Sequence, residues 1–194
     1  MLTNTETISI GSLPITLEQI KAHVKVDTDR DNELLSAYMH AACDYLSRYT
    51  GGYSVRVDTF KDYHTTWYSV FELGRFPLVA VASVKYYDAN GVEQTVSPSS
   101  YSVMNSYGRS YLFLAGDFVA PQLSTDKAYP VTINYTAGQS TVNNLAKVGL
   151  LQLTAHLFEQ RQGIVTGTIS KPIEFALESI CRLLTLPKVI SSEE

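Results

Sequence analysis

Residues 15–52 read ITLEQIKAHVKVDTDRDNELLSAYMHAACDYLSRYTGG, two capped helices followed by a stop. Thr16 with Gln19 three residues on forms a capping box, in which each side chain satisfies the other's backbone N–H, and Ile15 with Ile20 supplies the hydrophobic staple. This first helix is short, ending near Val24 to Val26. The polar run DTDRDN resets the chain, and Asp29 or Asp31 is placed to cap a second helix whose early acids sit at the positive end of its dipole. There Leu34, Tyr38, Ala41, Tyr45 and Tyr49 recur at helical spacing beside Leu35, Ala42 and Leu46, while Glu33, Ser36, His40, Asp44, Ser47 and Arg48 fall opposite. The pattern predicts an amphipathic helix of about five turns. Gly51 and Gly52 then offer the left-handed backbone that ends many helices.

Downstream, from Tyr53 to Tyr135, short β-branched and aromatic runs alternate with turn residues, which predicts an antiparallel β region. Its candidate strands are Val55 to Phe60, Trp67 to Leu73, Ala80 to Tyr87, Val92 to Val96, Tyr101 to Met104, Tyr111 to Leu114 and Val131 to Tyr135. In VKYYDANGVEQTV, Asn90-Gly91 suits the two positive φ angles of a type I′ hairpin turn. Helical spacing returns after Gly138: Thr141 can cap, and Ala146, Leu150, Leu153 and Leu157, with Leu145 and Phe158, make one apolar face up to Arg161. Pro172 opens a last helix through Phe175, Ala176, Ile180, Leu183 and Leu184 to Pro187.

The expected fold is therefore α+β, a small helical bundle of two N-terminal and two C-terminal helices with an inserted antiparallel β region. Its parts are an N-terminal extension (1–14), a helical hairpin (15–52), the β insertion (53–138), the C-terminal helices (139–187) and a tail (188–194).

Bulk properties narrow the function classes. The 194 residues are 45% hydrophobic, ordinary for a folded chain, but only 18% charged, with 13 tyrosines. That balance suits protein contacts, whose buried centres favour Tyr over Lys and Glu, and equally suits tyrosines half-buried on strands. The net charge of −4 and the lack of any basic block argue against a sequence-reading nucleic-acid binder, although a mildly acidic wall lets DNA slide past. No secretory leader and no apolar run of membrane-spanning length is visible, so no membrane partner is expected. Cys43 and Cys181 lie far apart in apolar helical contexts and read as reduced core residues.

No catalytic or metal constellation emerges. Asp27, Asp29 and Asp31 imitate the start of a calcium loop, but Asn32 stands where glycine is needed and Tyr38 where the closing Glu is needed, so helix capping explains them better. His23, His40, His64 and His156 are scattered, none at zinc-site spacing, and read as surface or interface histidines. His156 and Glu159, one turn apart, read as a solvated helix face. Nucleophile-elbow, P-loop and dinucleotide motifs are missing. Trp67 with Tyr53, Tyr63 and Tyr68 could form an aromatic platform for sugar or peptide, but such residues more often pair across strands.

The opening ITLEQIKAHVKVDTDRDNELLSAYMHAACDYLSRYTG resembles the start of the tailed-phage head-tail connector family, also called head-completion adaptors or DNA-packaging proteins. Three later stretches resemble it too: the Pro-led strand Arg75 to Val84, the Asp88-Ala89-Asn90-Gly91 hairpin, and Tyr135-Thr136-Ala137-Gly138 followed by the helix Leu150 to Arg161. The resemblance implies a virion structural protein without enzymatic activity or cofactor. Copies would form a ring, commonly a dodecamer, that binds the portal at the head-tail junction and extends the channel for double-stranded DNA. The ring would then offer a platform to a stopper or tail-completion protein, after assembly in the bacterial host cytoplasm. A closed ring needs two different complementary faces per subunit. His40, Asp44, Arg48, Glu159 and Arg161 are the expected neighbour contacts, and Ile164, Val165, Ile169, Lys188, Val189 and Ile190 the expected portal or stopper contacts. The rival reading is a β-rich carbohydrate- or peptide-binding module, and an enzyme using His64 or His156 comes third.

Overall fold

A computed structural model describes residues 4–106, 108–160, 178, 179 and 182. It divides the chain into two compact units, residues 1–11 with 57–139, and residues 12–56 with 140–194. The class is α+β with antiparallel sheets, as expected.

The second unit is helical: α1 (Leu17–Val24), α2 (Asn32–Tyr49) and α3 (Asn144–Glu159). The Thr16 hydroxyl accepts the Gln19 N–H at 3.3 Å, and Ile15 and Ile20 are both buried beneath it. Lys25 ends α1 in the left-handed conformation, and Asp31 takes the N-cap position of α2, its carbonyl accepting the Leu35 N–H at 2.9 Å.

The buried stripe of α2 is Leu35, Met39, Ala42, Cys43 and Leu46. This is one residue, about 100°, away from the stripe that the spacing of Leu34, Tyr38, Ala41, Tyr45 and Tyr49 suggests. Two stripes compete on this helix, and burial selects the one without phenol hydroxyls, which need partners when buried. Tyr45 and Tyr49 stand 46% and 45% exposed. On α3, Ala146, Leu150 and Leu153 face the core as expected, and the Thr154 hydroxyl meets the Met39 sulfur at 3.6 Å.

The cap of α3 is Asn143 rather than Thr141. Extended backbone at Asn143 brings its side-chain oxygen within 2.7 Å of the Ala146 N–H, a group that Thr141 lies too far upstream to serve. The described residues thus form three helices where four were expected. The fourth, Pro172 to Pro187, lies outside them except for the helical residues Glu178, Ser179 and Arg182, with Arg182 and Glu178 paired at 2.8 Å.

The first unit is a pair of antiparallel sheets. Its strands are β1 (Asn4–Ser9), β2 (Asp58–His64), β3 (Val70–Glu72), β4 (Leu78–Tyr87), β5 (Glu93–Thr95), β6 (Tyr101–Ser106), β7 (Arg109–Leu114) and β8 (Val131–Ala137). Five form one sheet in the order β1-β2-β8-β4-β5, and three form the other in the order β3-β7-β6. Phe60, Phe71, Leu73, Leu78, Val84, Leu112, Val131, Ile133 and Tyr135 belong to one buried cluster drawn from both sheets. The central strand β8 is buried along most of its length, flanked by β2 and β4.

Three features of this unit depart from expectation. Residues 4–9, read as an extension, form the edge strand β1 against β2, pairing from Asn4 opposite Tyr63 to Ser9 opposite Thr59 with a register shift between Thr7 and Ser9. Expected at Val55 to Phe60, β2 instead runs to His64 and turns Asp58, Phe60, Asp62 and His64 inward, so its buried face is mostly polar and invisible to an apolar-alternation test. At the β4–β5 hairpin only Gly91 has positive φ, so the turn is not type I′. The Asp88 carboxylate accepts the N–H groups of Asn90 and Val92 at 2.9 and 3.0 Å and holds the turn in another form.

Candidate functional site

The polar face of α2 carries a small charge cluster. Arg56, just beyond the helical hairpin and only 4% exposed, donates from Nη2 to Asp44 Oδ1 at 2.8 Å and lies 3.1 Å from His40 Nδ1 through Nη1. A guanidinium has no acceptor, so Nδ1 must accept and the ring proton must sit on Nε2. His40 and Asp44, expected to meet a neighbouring copy, therefore serve in part to hold a buried cation. Arg56 is the residue that sequence reasoning missed, because its partners lie 16 and 12 positions upstream on a different element.

Beside this cluster Arg48 is exposed, and Tyr45 and Tyr49 stack with ring centroids 6.1 Å apart. Glu159 is exposed at the end of α3, while Arg161 and the expected portal or stopper residues Ile164, Val165, Ile169, Lys188, Val189 and Ile190 lie outside the described residues. Asp29, from the calcium-like run, is paired with Lys21 at 2.8 Å and with Asn32 at 3.1 Å, and the Lys21 hydrogen bond holds its carboxyl below the ordinary carboxylate range. Among the described residues no group of three or more His, Cys, Asp or Glu is arranged to hold a metal, and no helix is long and apolar enough to cross a membrane.

The inward face of β2 is internal chemistry rather than a surface. Asp62 accepts from the Gly74 N–H at 2.8 Å and from the Tyr135 hydroxyl at 3.1 and 3.2 Å, and that hydroxyl in turn accepts the Arg75 N–H at 3.1 Å. Burial raises the Asp62 carboxyl above its ordinary value, and burial beside that carboxyl raises the Tyr135 phenol too. Asp58 accepts the Gly11 N–H at 2.8 Å.

His64 is a core residue rather than the surface or interface histidine expected. It is 2% exposed, with its ring 4.7 Å from Phe71 and 6.4 Å from Tyr68, and its Nε2 has no hydrogen-bond partner. Burial pushes its pKa down to about 4. His156 is half-buried on α3, where its Nδ1 likewise has no hydrogen-bond partner. The two histidines belong to different units, and neither has a carboxylate partner among the contacts of the described residues.

Trp67 is committed to packing. Its indole N–H donates to the Pro121 carbonyl at 3.0 Å, and its ring meets Tyr86 and Phe118 edge-on at 5.3 and 5.2 Å. The aromatic set in this unit is a satellite of the core, not a flat stacking platform.

The family model described as phage gp6-like head-tail connector protein matches residues 14–113. A chain from a structure titled the neck of an empty GTA particle, computed with C6 symmetry, is 18% identical, with each chain covered in full and a TM-score of 0.75. A chain from the virion of a native gene transfer agent particle is 18% identical over 98% of each chain, with a TM-score of 0.76. One from the neck of a native GTA particle, computed with C12 symmetry, is 19% identical over the full length of both, at 0.70. At such identities the likeness is one of fold. No curated protein matches the sequence.

Proposed function

The chain belongs to the phage gp6-like head-tail connector family, and from that premise we propose that it is a virion structural protein whose copies form a ring, a dodecamer, at the head-tail junction. The ring binds the portal, extends the channel through which double-stranded DNA passes without sequence reading, and presents a platform to a stopper or tail-completion protein. Its work is assembly rather than turnover. The observation that carries this reading is the family match over residues 14–113, supported by a full-length fold likeness to chains of particle necks solved with six-fold and twelve-fold symmetry. The net charge of −4 fits a channel wall that does not hold DNA.

Within this reading Arg48 and Glu159 are free to meet a neighbouring copy, while His40 and Asp44 reach it only around their ion pair with Arg56. Arg161 joins the neighbour contacts, and Ile164, Val165, Ile169, Lys188, Val189 and Ile190 take the portal or stopper.

The test is to mix the purified protein with a purified portal ring and read the stoichiometry by native mass spectrometry. About twelve copies per portal ring is the expected result. No complex at micromolar concentration, together with a monomer at every concentration, would overturn the proposal.

A further inference from the structure

We infer that the five-stranded sheet continues from copy to copy: β1 of one subunit adds, antiparallel, to the open stretch Val79–Ser83 of β4 in its neighbour. This rests on the ring reading above and names the contact that builds it.

The sheet has one open edge on each side. On one side β1 pairs, among the described residues, only with β2, and most of its residues are exposed, with the hydrophobic Ile8 and nearby Ile10 at 52% and 58%. Such a strand buries little within its own subunit. On the other side β5 covers only Lys85 to Tyr87 of β4, and the Val96 N–H takes the Val84 carbonyl. At the start of β4 the backbone of Leu78 is also taken. Its N–H donates to Asn105 Oδ1 at 2.9 Å and to Ser110 Oγ at 2.8 Å, and its carbonyl accepts from Asn105 Nδ2 at 3.0 Å.

Between those two claimed ends Val79–Ser83 has no strand beside it on that edge among the described residues. The segment is Val-Ala-Val-Ala-Ser, with Val79 56% exposed and Ala80 and Ala82 exposed as well. It carries no lysine and no proline, the usual guards of a bare edge. Its length is close to that of β1, which has 6 residues.

Polarity also fits. Every pairing in this sheet is antiparallel, and β2 and β8 lie between β1 and β4, so β1 and β4 run in opposite directions. Repeating the sheet around a ring brings β1 against its neighbour's β4 in antiparallel sense, in line with β5. The contact is heterologous, one edge meeting a different edge, which is what a closed ring requires. Its recognition mode is strand addition, where backbone hydrogen bonds supply affinity and alternate side chains supply specificity. Register shifts in β4 between Leu78 and Ala80 and between Val81 and Ser83 discourage indiscriminate pairing, so a partner strand must match them.

The experiment compares backbone hydrogen exchange in the monomer and in the assembled ring, formed alone or on a portal ring. Residues 4–9 and 79–83 are expected to slow together, by about tenfold or more. If either segment is unchanged in a ring that has formed, the inference fails; protection of 79–83 alone gives that edge to a portal or stopper strand instead. The double variant Val79→Lys with Ala82→Lys is expected to keep the monomer's circular dichroism and thermal midpoint but to lose the ring. Rings at the wild-type level from that variant also overturn the inference. A wild-type chain that never assembles, alone or on the portal, removes the ring reading and this contact with it, an outcome distinct from a ring that forms without edge protection.

Discussion

Acidification should weaken the β unit through one residue, His64. Its ring is buried against Phe71 and Tyr68 with Nε2 unpartnered, and burial holds its pKa at about 4 against an ordinary 6.5. The folded value is depressed, so the unfolded chain takes up a proton first. The stabilising contribution is complete above the unfolded value and is lost as pH falls through the window from 6.5 to about 4. At about 1.4 kcal/mol per unit, the full loss is about 3 kcal/mol, of which about 2 kcal/mol is gone by about pH 5. Replacing the imidazole by a phenyl ring, one atom larger and without nitrogens, His64→Phe, sets relief of an unsatisfied buried group against overpacking and should leave stability near neutral pH within about 2 kcal/mol of wild type. Urea unfolding followed by the fluorescence of Trp67, the single tryptophan and a member of this same unit, measures both proteins at about pH 7 and about pH 5. The wild type should lose about 2 kcal/mol more than the variant on acidification. Equal losses, or an NMR titration placing His64 near 6.5, would refute the reasoning.

Three further outcomes follow from the same unit. Tyr135→Phe removes a donor to Asp62 and an acceptor of the Arg75 N–H, and should cost about 1 to 3 kcal/mol in urea unfolding; a cost below the error of the measurement would show that the hydroxyl is not needed. For Asp62 the sign is opposite to that of His64. Its folded pKa is raised, so the group's contribution is complete below the unfolded value of 3.8 and declines as pH rises through the folded value. The stability advantage of wild type over Asp62→Asn should therefore shrink from about pH 3.5 to about pH 7 in paired urea titrations, and growth of that advantage would contradict the assignment. Finally, a Cβ at Gly74 would land on the Thr5 hydroxyl, so Gly74→Ala should cost about 1 to 3 kcal/mol and speed hydrogen exchange of residues 4–9; an unchanged exchange pattern there would show that the loop gives way instead.

How much could be read beforehand depends on whether the signal was local. The start of α1 was legible because a Thr16–Gln19 cap and an Ile15–Ile20 staple are complete within six residues of sequence. β4 and β8 were legible because apolar residues crowd them. β2 was displaced because its inward residues Asp58, Asp62 and His64 are polar, and only distant partners such as Gly11, Gly74 and Tyr135 make their burial tolerable. β1 gave no signal, since an edge strand exposed on most of its residues has no alternation to show. On α2 two stripes of equal period competed, and packing against α3 chose between them. As for the candidate site, residue types on the polar face of α2 could be picked out, but not the ion pair that occupies them, because Arg56 reaches back from another element.

The pairing of Asn4 with Tyr63 has a further consequence for how such a chain is made. The whole α1–α2 hairpin lies between these partners in sequence, so each unit is drawn from two separate stretches of chain, which passes from one unit to the other after residues 11, 56 and 139. Neither unit can be excised as one continuous segment. During synthesis β1 leaves the ribosome first, while β2 is still unmade, and the helices can gather around Leu35 and Leu46 in the meantime. For that interval β1 is without its own sheet, and on a polysome crowded with identical chains it can meet a finished neighbour before it meets β2 of its own chain.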